Sequence, residues 1–318
     1  MERKSLMATS SGVWSSEAPS NIALIKYMGK REGNIPCNIS LSHTLNKFTT
    51  RVSLEICSGK DDFSNEIGLP QKSVDRFLEH LKRIKYRYNY GGFFLVKSFS
   101  NFPHSAGIAS SSSSFAALTM CSLAAICEIK GVNLPSPEEM SRLSREASGA
   151  SCRSFFSPWS VWNGDGARKI DVKIGELNHD LALVDSRPKQ ISSGEAHRLV
   201  TSSPLFEGRS TRAEKRFGDL INSLNNNKWS DVRQICWEEF RDMHALFETS
   251  SPSFGYIQPK TTMILDMVEG FWRVRGDGPV VTIDAGPNVH FLWRKDQNEL
   301  RTELKNAILS MDNLIQFM

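Results

Sequence analysis

The feature that most constrains this chain is a loop of small residues that leads directly into an apolar, alanine-rich segment. The loop occupies residues 101–109, five consecutive serines occupy 110–114, and the apolar run begins at Phe115. This pattern predicts a helix over 111–129 whose centre is buried on every side. Unpaired backbone N–H groups, the positive end of the helix dipole and several hydroxyl groups would lie at its start. The segment therefore predicts a phosphate-binding site.

The alternative for the serine run is a connection whose hydroxyl groups only cap the helix. Five consecutive serines exceed what capping requires, so phosphate binding is favoured. The loop lacks the Lys-Ser/Thr ending of a Walker P-loop, and a nucleotide held there would be bound by a different design.

Size and composition indicate a globular protein. The 318 residues include 40% hydrophobic and 23% charged residues, enough for one large domain or two ordinary ones. The net charge of +4 is mild and dispersed, so we expect no nucleic-acid partner. No uncharged apolar stretch of about 18 residues occurs, so we expect no membrane span. The six cysteines show no metal-ligand spacing and predict free thiols in a reducing, cytoplasmic compartment.

Strand and helix patterns do not alternate strictly, which predicts the α+β class. Strand patterns occur at 18–27, 48–56, 93–97, 181–184, 280–283 and 289–293. Helical patterns occur at 74–84, 111–129, 137–148, 213–224, 229–247, 261–273 and 297–311. Residues 1–16 are predicted to be a flexible polar leader. Near residue 185 the pattern changes from mixed strands and helices to mainly helical segments. This change predicts an N-terminal lobe over 1–185 and a C-terminal lobe over 186–318.

Lys26 is a candidate catalytic residue because it ends an apolar strand between Ile25 and Tyr27. A buried ammonium group needs a carboxylate partner. The alternative is a lysine at the end of a strand whose ammonium group reaches back to water. This alternative is less favoured for Lys26 than for Lys30.

Asp284 ends the apolar run 281–283 and precedes a turn at Gly286-Pro287. An aspartate in this position often forms a hydrogen bond with its own backbone. On this pattern alone, that structural role and a catalytic role are equally well supported. Paired with a buried lysine, however, the carboxylate would stay ionised and could act as a base towards a substrate hydroxyl.

Arg153 lies in a second run of small residues, 147–154. Its guanidinium group is suited to binding a carboxylate or phosphate through two parallel hydrogen bonds. The alternative is a structural ion pair at a glycine-kinked helix end. The chain has no Gly-x-Ser-x-Gly elbow and no paired histidine spacing, so a serine hydrolase of that type and a protein-ligated zinc site are not expected.

Taken in this order, these segments resemble the mevalonate diphosphate decarboxylases of the GHMP kinase superfamily. Any one match would be weak, but five in one order are specific and cover most of the chain. The resemblance implies a two-lobed, GHMP kinase-like α+β fold with the active site in the cleft between the lobes. The matching segments are 18–31, 38–45, 101–114, 148–154 and 283–288.

The resemblance also implies an activity. Enzymes of this family use ATP and Mg²⁺ to phosphorylate the 3-hydroxyl of mevalonate 5-diphosphate, and loss of phosphate and CO₂ then gives isopentenyl diphosphate for isoprenoid biosynthesis. Relatives are commonly homodimers, and the resemblance implies a homodimer here. The alternatives are a mevalonate 5-phosphate decarboxylase, a kinase that stops after phosphorylation, and a nucleotide-binding relative without turnover. Kinases that stop lack the combined Asp, Lys and Arg, so decarboxylation is favoured.

The resemblance implies roles for three catalytic residues. Asp284 matches the catalytic aspartate, Lys26 its cationic partner, and Arg153 the arginine that grips the substrate carboxylate. Further residues implied in substrate binding are Tyr27, Met28, Gly29, Lys30, Ser148, Gly149, Ala150, Ser151, Cys152 and Ser193. Residues implied in ATP binding are Ser105, Ala106, Gly107, Ile108, Ala109, Ser110 and Ser111. No residue is assigned as a metal ligand.

The chain departs from the family pattern on one side of the implied pocket. Met28 replaces a tryptophan, Ala150 replaces a serine, and residues 194–196 lack a threonine found in relatives. No counterpart is assigned to the arginine that relatives supply from the helix near Arg76. Because of these departures, the resemblance does not decide between a diphosphate and a monophosphate substrate. They do not involve the residues implied in the reaction at C3.

Overall fold

The computed structural model describes residues 7–9, 12–66, 68–102, 110–187 and 189–318. These residues form eleven strands and eight α-helices. The strands are β1 Met7–Thr9, β2 Val13–Ile25, β3 Ser40–Cys57, β4 Asp62–Phe63, β5 Phe93–Ser100, β6 Trp159–Asn163, β7 Gly166–Lys169, β8 Asn178–Leu183, β9 Val280–Thr282, β10 Val289–Trp293 and β11 Gln316–Phe317. The helices are α1 Gln71–Arg87, α2 Ser110–Lys130, α3 Pro137–Ala147, α4 Ser193–Leu199, α5 Arg209–Asn225, α6 Trp229–Glu248, α7 Pro259–Arg275 and α8 Asn298–Met311.

The strands form two sheets. β1 to β7 make one sheet in the order β1-β2-β3-β5-β4, with β6 paired to β3 and β7 paired to β6. β8 to β11 make a second, antiparallel sheet in the order β11-β8-β10-β9. Helices and strands are not interleaved in a parallel sheet, which confirms the predicted α+β class.

Helix α2 is the central helix of the N-terminal half. Its length and mean hydropathy of 1.4 would suit a membrane span, but 83% of that window is buried inside the protein. Ala116 and Ala117 are fully buried, and such small residues let the helix approach β2 and β3 closely. The helix is thus a core helix, as the sequence predicts.

The largest hydrophobic core is shared between the two sheets. It joins Ile22 and Leu24 of β2 to Leu181 of β8, Val281 of β9 and Phe291 of β10. A second core lies between the first sheet and the helices α1 and α2. Because one core spans both sheets, the end of β2 and the end of β9 are held against each other.

Three expectations about element bounds differ from the structure. β2 begins at Val13, and Trp14 is buried with its Nε1 donating to Glu128 at 3.0 Å. β1 pairs with this part of β2, so the predicted flexible leader is wrong for residues 7–9 and 13–16. β3 begins at Ser40 rather than at 48, and β1, β4, β6, β7, β11 and α4 were not predicted. The first half of β3 pairs with β6, which is far away in the chain, and a local pattern does not encode such pairing.

The expected lobe boundary at residue 185 falls after β8. In the structure β8 pairs with β10 and β11, so the change from the first sheet to the second lies between β7 and β8. All six cysteines lie in the described residues, and none is disulfide-bonded.

Candidate active site

A cavity of about 110 Å³ opens where the ends of β2 and β9 meet the start of α2. Both halves of the chain contribute side chains to its wall. The lining residues are Ala23, Lys26, Tyr27, Met28, Ser111, Ser112, Ala150, Arg153, Lys189, Ser193, His197, Met243, Asp284 and Ala285.

Lys26 and Asp284 form an ion pair in this cavity. The Nζ–Oδ1 distance is 2.5 Å, and the two side chains are 1% and 27% exposed. Burial lowers the pKa of Lys26, and the attraction of Asp284 opposes that shift. Burial also acts to raise the pKa of Asp284, but the charges of Lys26, His290 and Arg153 hold it below its usual value. Asp284 is therefore ionised at neutral pH.

The backbone of Lys26 is held by a buried ion cluster between α5 and α6. Glu239 Oε1 accepts the Lys26 N–H at 2.9 Å, and Arg209 Nη2 donates to the Lys26 carbonyl at 3.2 Å. Glu239 and Arg209 also pair with each other, and both are almost completely buried. Neither residue was singled out from the sequence, because its partner lies roughly two hundred positions away.

Arg153 is oriented by two polar neighbours. Its Nε donates to Asn21 Oδ1 at 3.1 Å, and its Nη1 donates to Ser40 Oγ at 2.8 Å. No carboxylate within the described ranges forms a salt bridge with it, so the alternative of a structural ion pair is not observed there. Arg153 lines the cavity with Nη2 left over from these protein contacts, which suits an anionic ligand.

Serine hydroxyl groups line the start of α2. Ser112 Oγ is buried and has no hydrogen-bond partner in the part of the chain that the structure describes. Ser148 Oγ donates to Ser111 Oγ at 3.3 Å and so links α2 to the 148–154 segment. A second cavity of about 200 Å³, lined by Ser110, Ser111 and Ser114, lies beside the same helix start. The predicted ATP-binding residues 105–109 lie outside the described residues.

Two predicted glycines occupy positions where a side chain would collide. A Cβ atom at Gly149 would lie 2.8 Å from Tyr27 Oη and 2.9 Å from Trp162. Gly29 has φ +87°, and a Cβ atom there would lie 2.6 Å from the ring of Phe206. Both positions therefore require glycine, since the neighbouring aromatic rings leave no room.

The side chains of Ser151 and Cys152, which were predicted to bind substrate, do not line the cavity. Ser151 and Cys152 are completely buried. Ser151 Oγ donates to the Ser148 carbonyl at 2.6 Å, and Cys152 Sγ donates to the Gly149 carbonyl at 3.0 Å. The expectation of direct substrate contact by these side chains is corrected: they stabilise the turn that carries Ser148 and Arg153.

Lys30 lies outside the cavity wall, where its Nζ donates to Asn34 Oδ1 at 2.9 Å. Burial lowers the pKa of Lys30, and the nearby charge of Arg76 lowers it further. Arg76 on α1 donates from Nη2 to the Ala147 carbonyl at 2.9 Å, beside Ser148. The structure thus brings Arg76 to the side of the site where sequence reasoning assigned no arginine.

Sequence reasoning also missed Lys189 and His197, which both line the cavity. Lys189 Nζ donates to the Ala285 carbonyl, and burial lowers the pKa of Lys189 while Asp284 opposes the shift. His197 Nδ1 accepts the Gly29 N–H at 3.1 Å. Both residues lie in a polar stretch whose local pattern carried no signal of a binding site.

Two family models together match most of the chain. The model described as "Diphosphomevalonate decarboxylase-like N-terminal domain" matches residues 18–171. The model described as "Mevalonate 5-diphosphate decarboxylase C-terminal domain" matches residues 181–318. This chain belongs to the mevalonate diphosphate decarboxylase family. The resemblance found in the sequence is thereby confirmed.

Relatives of known structure share the fold over nearly the whole chain. The mevalonate diphosphate decarboxylase from Legionella pneumophila is 45% identical with a TM-score of 0.90, and the match covers 96% of this chain and 100% of that one. A complex of MDDEF with MVAPP, AMPPCP and magnesium is 28% identical with a TM-score of 0.84, covering 96% and 95%. The diphosphomevalonate decarboxylase of Debaryomyces hansenii is 26% identical, covering 90% and 80%.

Proposed function

We propose that this protein catalyses the ATP- and Mg²⁺-dependent decarboxylation of mevalonate 5-diphosphate to isopentenyl diphosphate. The observation that carries the proposal is the 2.5 Å pair of Lys26 and Asp284 in a cavity that Arg153 and Ser111 also line. The reaction needs an ionised base, a group that binds a carboxylate, and a site for phosphate. The family to which the chain belongs supports the same activity.

In the first step, Asp284 accepts the proton of the substrate 3-hydroxyl while the hydroxyl oxygen attacks the γ-phosphorus of ATP. A new O–P bond forms, and the bond from the γ-phosphorus to ADP breaks. Lys26 keeps Asp284 ionised before the transfer and offsets negative charge during it. Lys189 adds a second cation to the same wall.

In the second step, the C3–O bond breaks and phosphate leaves. The electron pair of the bond between C2 and the carboxylate carbon becomes the new double bond, and CO₂ is released. Arg153 holds the carboxylate, while Asn21 and Ser40 fix the direction of its guanidinium group. This orientation keeps the breaking C–C bond aligned with the departing phosphate.

The serine hydroxyl groups in the cavity wall fit Mg²⁺, which prefers oxygen ligands. Among the described residues no group of three or more His, Cys, Asp or Glu could hold a metal ion, so phosphate oxygens would supply most ligands. The hydroxyl groups of Ser111 and Ser112 would complete the set, and the buried Ser112 Oγ has no partner in the described chain. Bound there, the ion neutralises phosphate charge. A magnesium-containing complex of a relative supports this assignment.

The charges around Lys30 favour a diphosphate over a monophosphate. Lys30 and Arg76 lie close enough to interact, and neither forms a salt bridge within the described residues. Two neighbouring cations that form no salt bridge there favour a ligand that carries several negative charges. The MVAPP complex of a relative supports the same choice.

The second cavity is proposed as the nucleotide side of the site. It shares Ser111 with the first cavity and adds the apolar side chains of Leu69, Phe77 and Phe115, which suit a flat base. The assignment of Ser105, Ala106, Gly107, Ile108 and Ala109 to ATP phosphates remains a prediction from the family resemblance.

The test is to incubate the purified protein with ATP, Mg²⁺ and each of mevalonate, its 5-phosphate and its 5-diphosphate. ADP and CO₂ are followed together, and we expect equal amounts of both with the diphosphate. ADP without CO₂ would identify a kinase, and neither product would identify a nucleotide-binding protein. Both products with the monophosphate alone would overturn the substrate assignment.

The proposal extends to a cytoplasmic homodimer. The six free thiols support a reducing compartment. The homodimer rests on the family resemblance, and light scattering coupled to size-exclusion chromatography tests it.

A further inference from the structure

His197 lies between the reacting end of the cavity and the cations proposed to hold the substrate phosphates. The charge of Arg153 acts on both Asp284 and His197, whereas the charge of Lys30 acts on His197. His197 lines the same cavity as Asp284 and Arg153, and its ring bonds the backbone of Gly29, the residue before Lys30. A substrate with its hydroxyl at Asp284 and its carboxylate at Arg153 would place its phosphate tail beside His197.

The imidazole ring of His197 is held in one orientation. The Gly29 N–H donates to Nδ1 at 3.1 Å, and the ring packs on Tyr27 with centroids 4.2 Å apart. Gly29 is itself confined, because its φ is +87° and the ring of Phe206 lies against its Cα. A backbone amide only donates, so Nδ1 must carry a lone pair.

The remaining nitrogen of His197 is a hydrogen-bond donor. Burial lowers the pKa of His197 to about 3, and Lys30 and Arg153 act in the same direction. The ring is therefore neutral, and its single proton lies on Nε2 because Nδ1 is an acceptor. Nε2 has no hydrogen-bond partner in the described part of the chain, and the side chain lines the cavity.

We propose that His197 is a specificity residue that donates a hydrogen bond from Nε2 to a phosphate group of the substrate. The inference rests on the proposed function, and it adds to that function the residue that selects the phosphorylated tail. A neutral donor binds a phosphate oxygen without adding a third positive charge next to Lys30 and Arg153. Because His197 acts on the tail and not at C3, its contribution belongs to substrate affinity rather than to the chemical step.

Two substitutions separate the donor from the acceptor of the ring. His197→Gln can place an amide N–H near the position of Nε2, whereas His197→Asn can place its oxygen near Nδ1 and keeps only the bond to Gly29. We expect His197→Asn to raise the KM for mevalonate 5-diphosphate by about 10- to 100-fold, the effect of losing one hydrogen bond to a charged group. We expect His197→Gln to stay within about 5-fold of the wild type, with kcat and the Kd for ATP little changed in both variants.

The matched control is Arg198→Ala, the next residue on α4, whose side chain is 72% exposed. Calorimetric binding of mevalonate, its 5-phosphate and its 5-diphosphate to each variant measures affinity without turnover. An unchanged KM in His197→Asn, or equal losses in the Asn and Gln variants, would overturn the role of Nε2. A wild type that binds no mevalonate phosphate would instead overturn the proposed function, and the inference with it. Circular dichroism verifies that each variant is folded.

Discussion

At the scale of single residues, the proposed chemistry depends on the 2.5 Å contact between Lys26 Nζ and Asp284 Oδ1. The pair keeps a carboxylate ionised in a partly desolvated place, where a lone aspartate would tend to take up a proton. Such a carboxylate can remove a proton from an alcohol only while the hydroxyl is attacking phosphorus, because the pKa of a free alcohol is far higher. Asp284 thus acts in the transition state rather than in ligand binding.

Asp284→Ala is expected to lower kcat by about 10²- to 10⁴-fold, because the general base is removed. The Kd for ATP, measured by calorimetry, should change little, since the base contributes to the chemical step. Asp266→Ala on the exposed surface of α7 is the control and should keep wild-type turnover. A comparable loss of ATP affinity in Asp284→Ala would assign Asp284 a structural role instead.

The alkaline side of the pH profile of kcat/KM is expected to reflect the deprotonation of Lys26. Its ammonium is present below its pKa, which burial lowers from 10.5, so kcat/KM should fall on the alkaline side at a pH below 10.5. Asp284 should cause no loss at neutral pH, because its pKa is held below 3.8 and it remains ionised above that value. Lys26→Arg should move the alkaline limb to higher pH, since a guanidinium group does not deprotonate in this range. An identical limb in that variant would exclude Lys26 as its source.

Arg153→Lys is expected to be a poor replacement. Arginine bonds Asn21 and Ser40 with two nitrogens and still has a third for the ligand, which an ammonium on a flexible stem cannot reproduce. Misplacement of the carboxylate should lower kcat/KM by about 100-fold or more. Steady-state CO₂ release measures the effect, and near-normal turnover would contradict the assignment of Arg153 to the carboxylate.

At the scale of elements, α5 and α6 hold the end of β2, which Lys26 directly follows. Glu239 and Arg209 bond the N–H and the carbonyl of Lys26, so the two helices fix the backbone that carries the ammonium. A buried ion pair of this kind need not add stability compared with apolar residues, but breaking one partner of it is costly. Its role here is to position Lys26.

Glu239→Gln is expected to destabilise the fold by about 3 kcal/mol, because it leaves Arg209 buried with Asp242 as its remaining carboxylate. The amide oxygen can still accept the hydrogen bond from the Lys26 N–H. The loss of stability therefore comes from the missing negative charge. Urea denaturation measures it. Glu238→Gln, at a side chain that is 49% exposed, is the control and should cost less than about 1 kcal/mol. Equal stability of the two variants would show that the cluster is not needed for folding.

At the scale of the whole molecule, the cavity wall is assembled from both halves of the chain. Lys26 and Arg153 come from the first sheet and the segment that follows α3, whereas Ser193 and Asp284 come from the second half. A ligand that contacts both halves stabilises the folded state as a unit.

We therefore expect mevalonate 5-diphosphate, at about 100 times its Kd, to raise the free energy of unfolding by about 2.7 kcal/mol. AMPPCP with Mg²⁺ should add a separate increment. Thermal unfolding followed by calorimetry would show both as upward shifts of Tm. Mevalonate without phosphate is the control and should give a much smaller shift of Tm. Equal shifts with mevalonate and with its 5-diphosphate would contradict the proposed binding site for the substrate phosphates.

Much of the fold could be predicted from local pattern, because local pattern encodes burial of one face or of a whole segment. Helix α2 follows from its continuous apolar run, and α6 and α7 follow from helical spacing close to their observed bounds. The first half of β3 and the short helix α4 could not be predicted, since their stability depends on pairing and packing with distant segments.

The sequence by itself determined the types of group available: a lysine at the end of a buried strand, an aspartate before a glycine-proline turn, and serines at the start of a buried helix. Only the tertiary structure decided which of them meet. Lys26 and Asp284 are 258 positions apart, and they come together because one core holds β2 against β9. Likewise, His197 faces the cavity as a donor only because Gly29 occupies its other nitrogen. Contacts of this range depend on how the elements pack, and no local pattern records that packing.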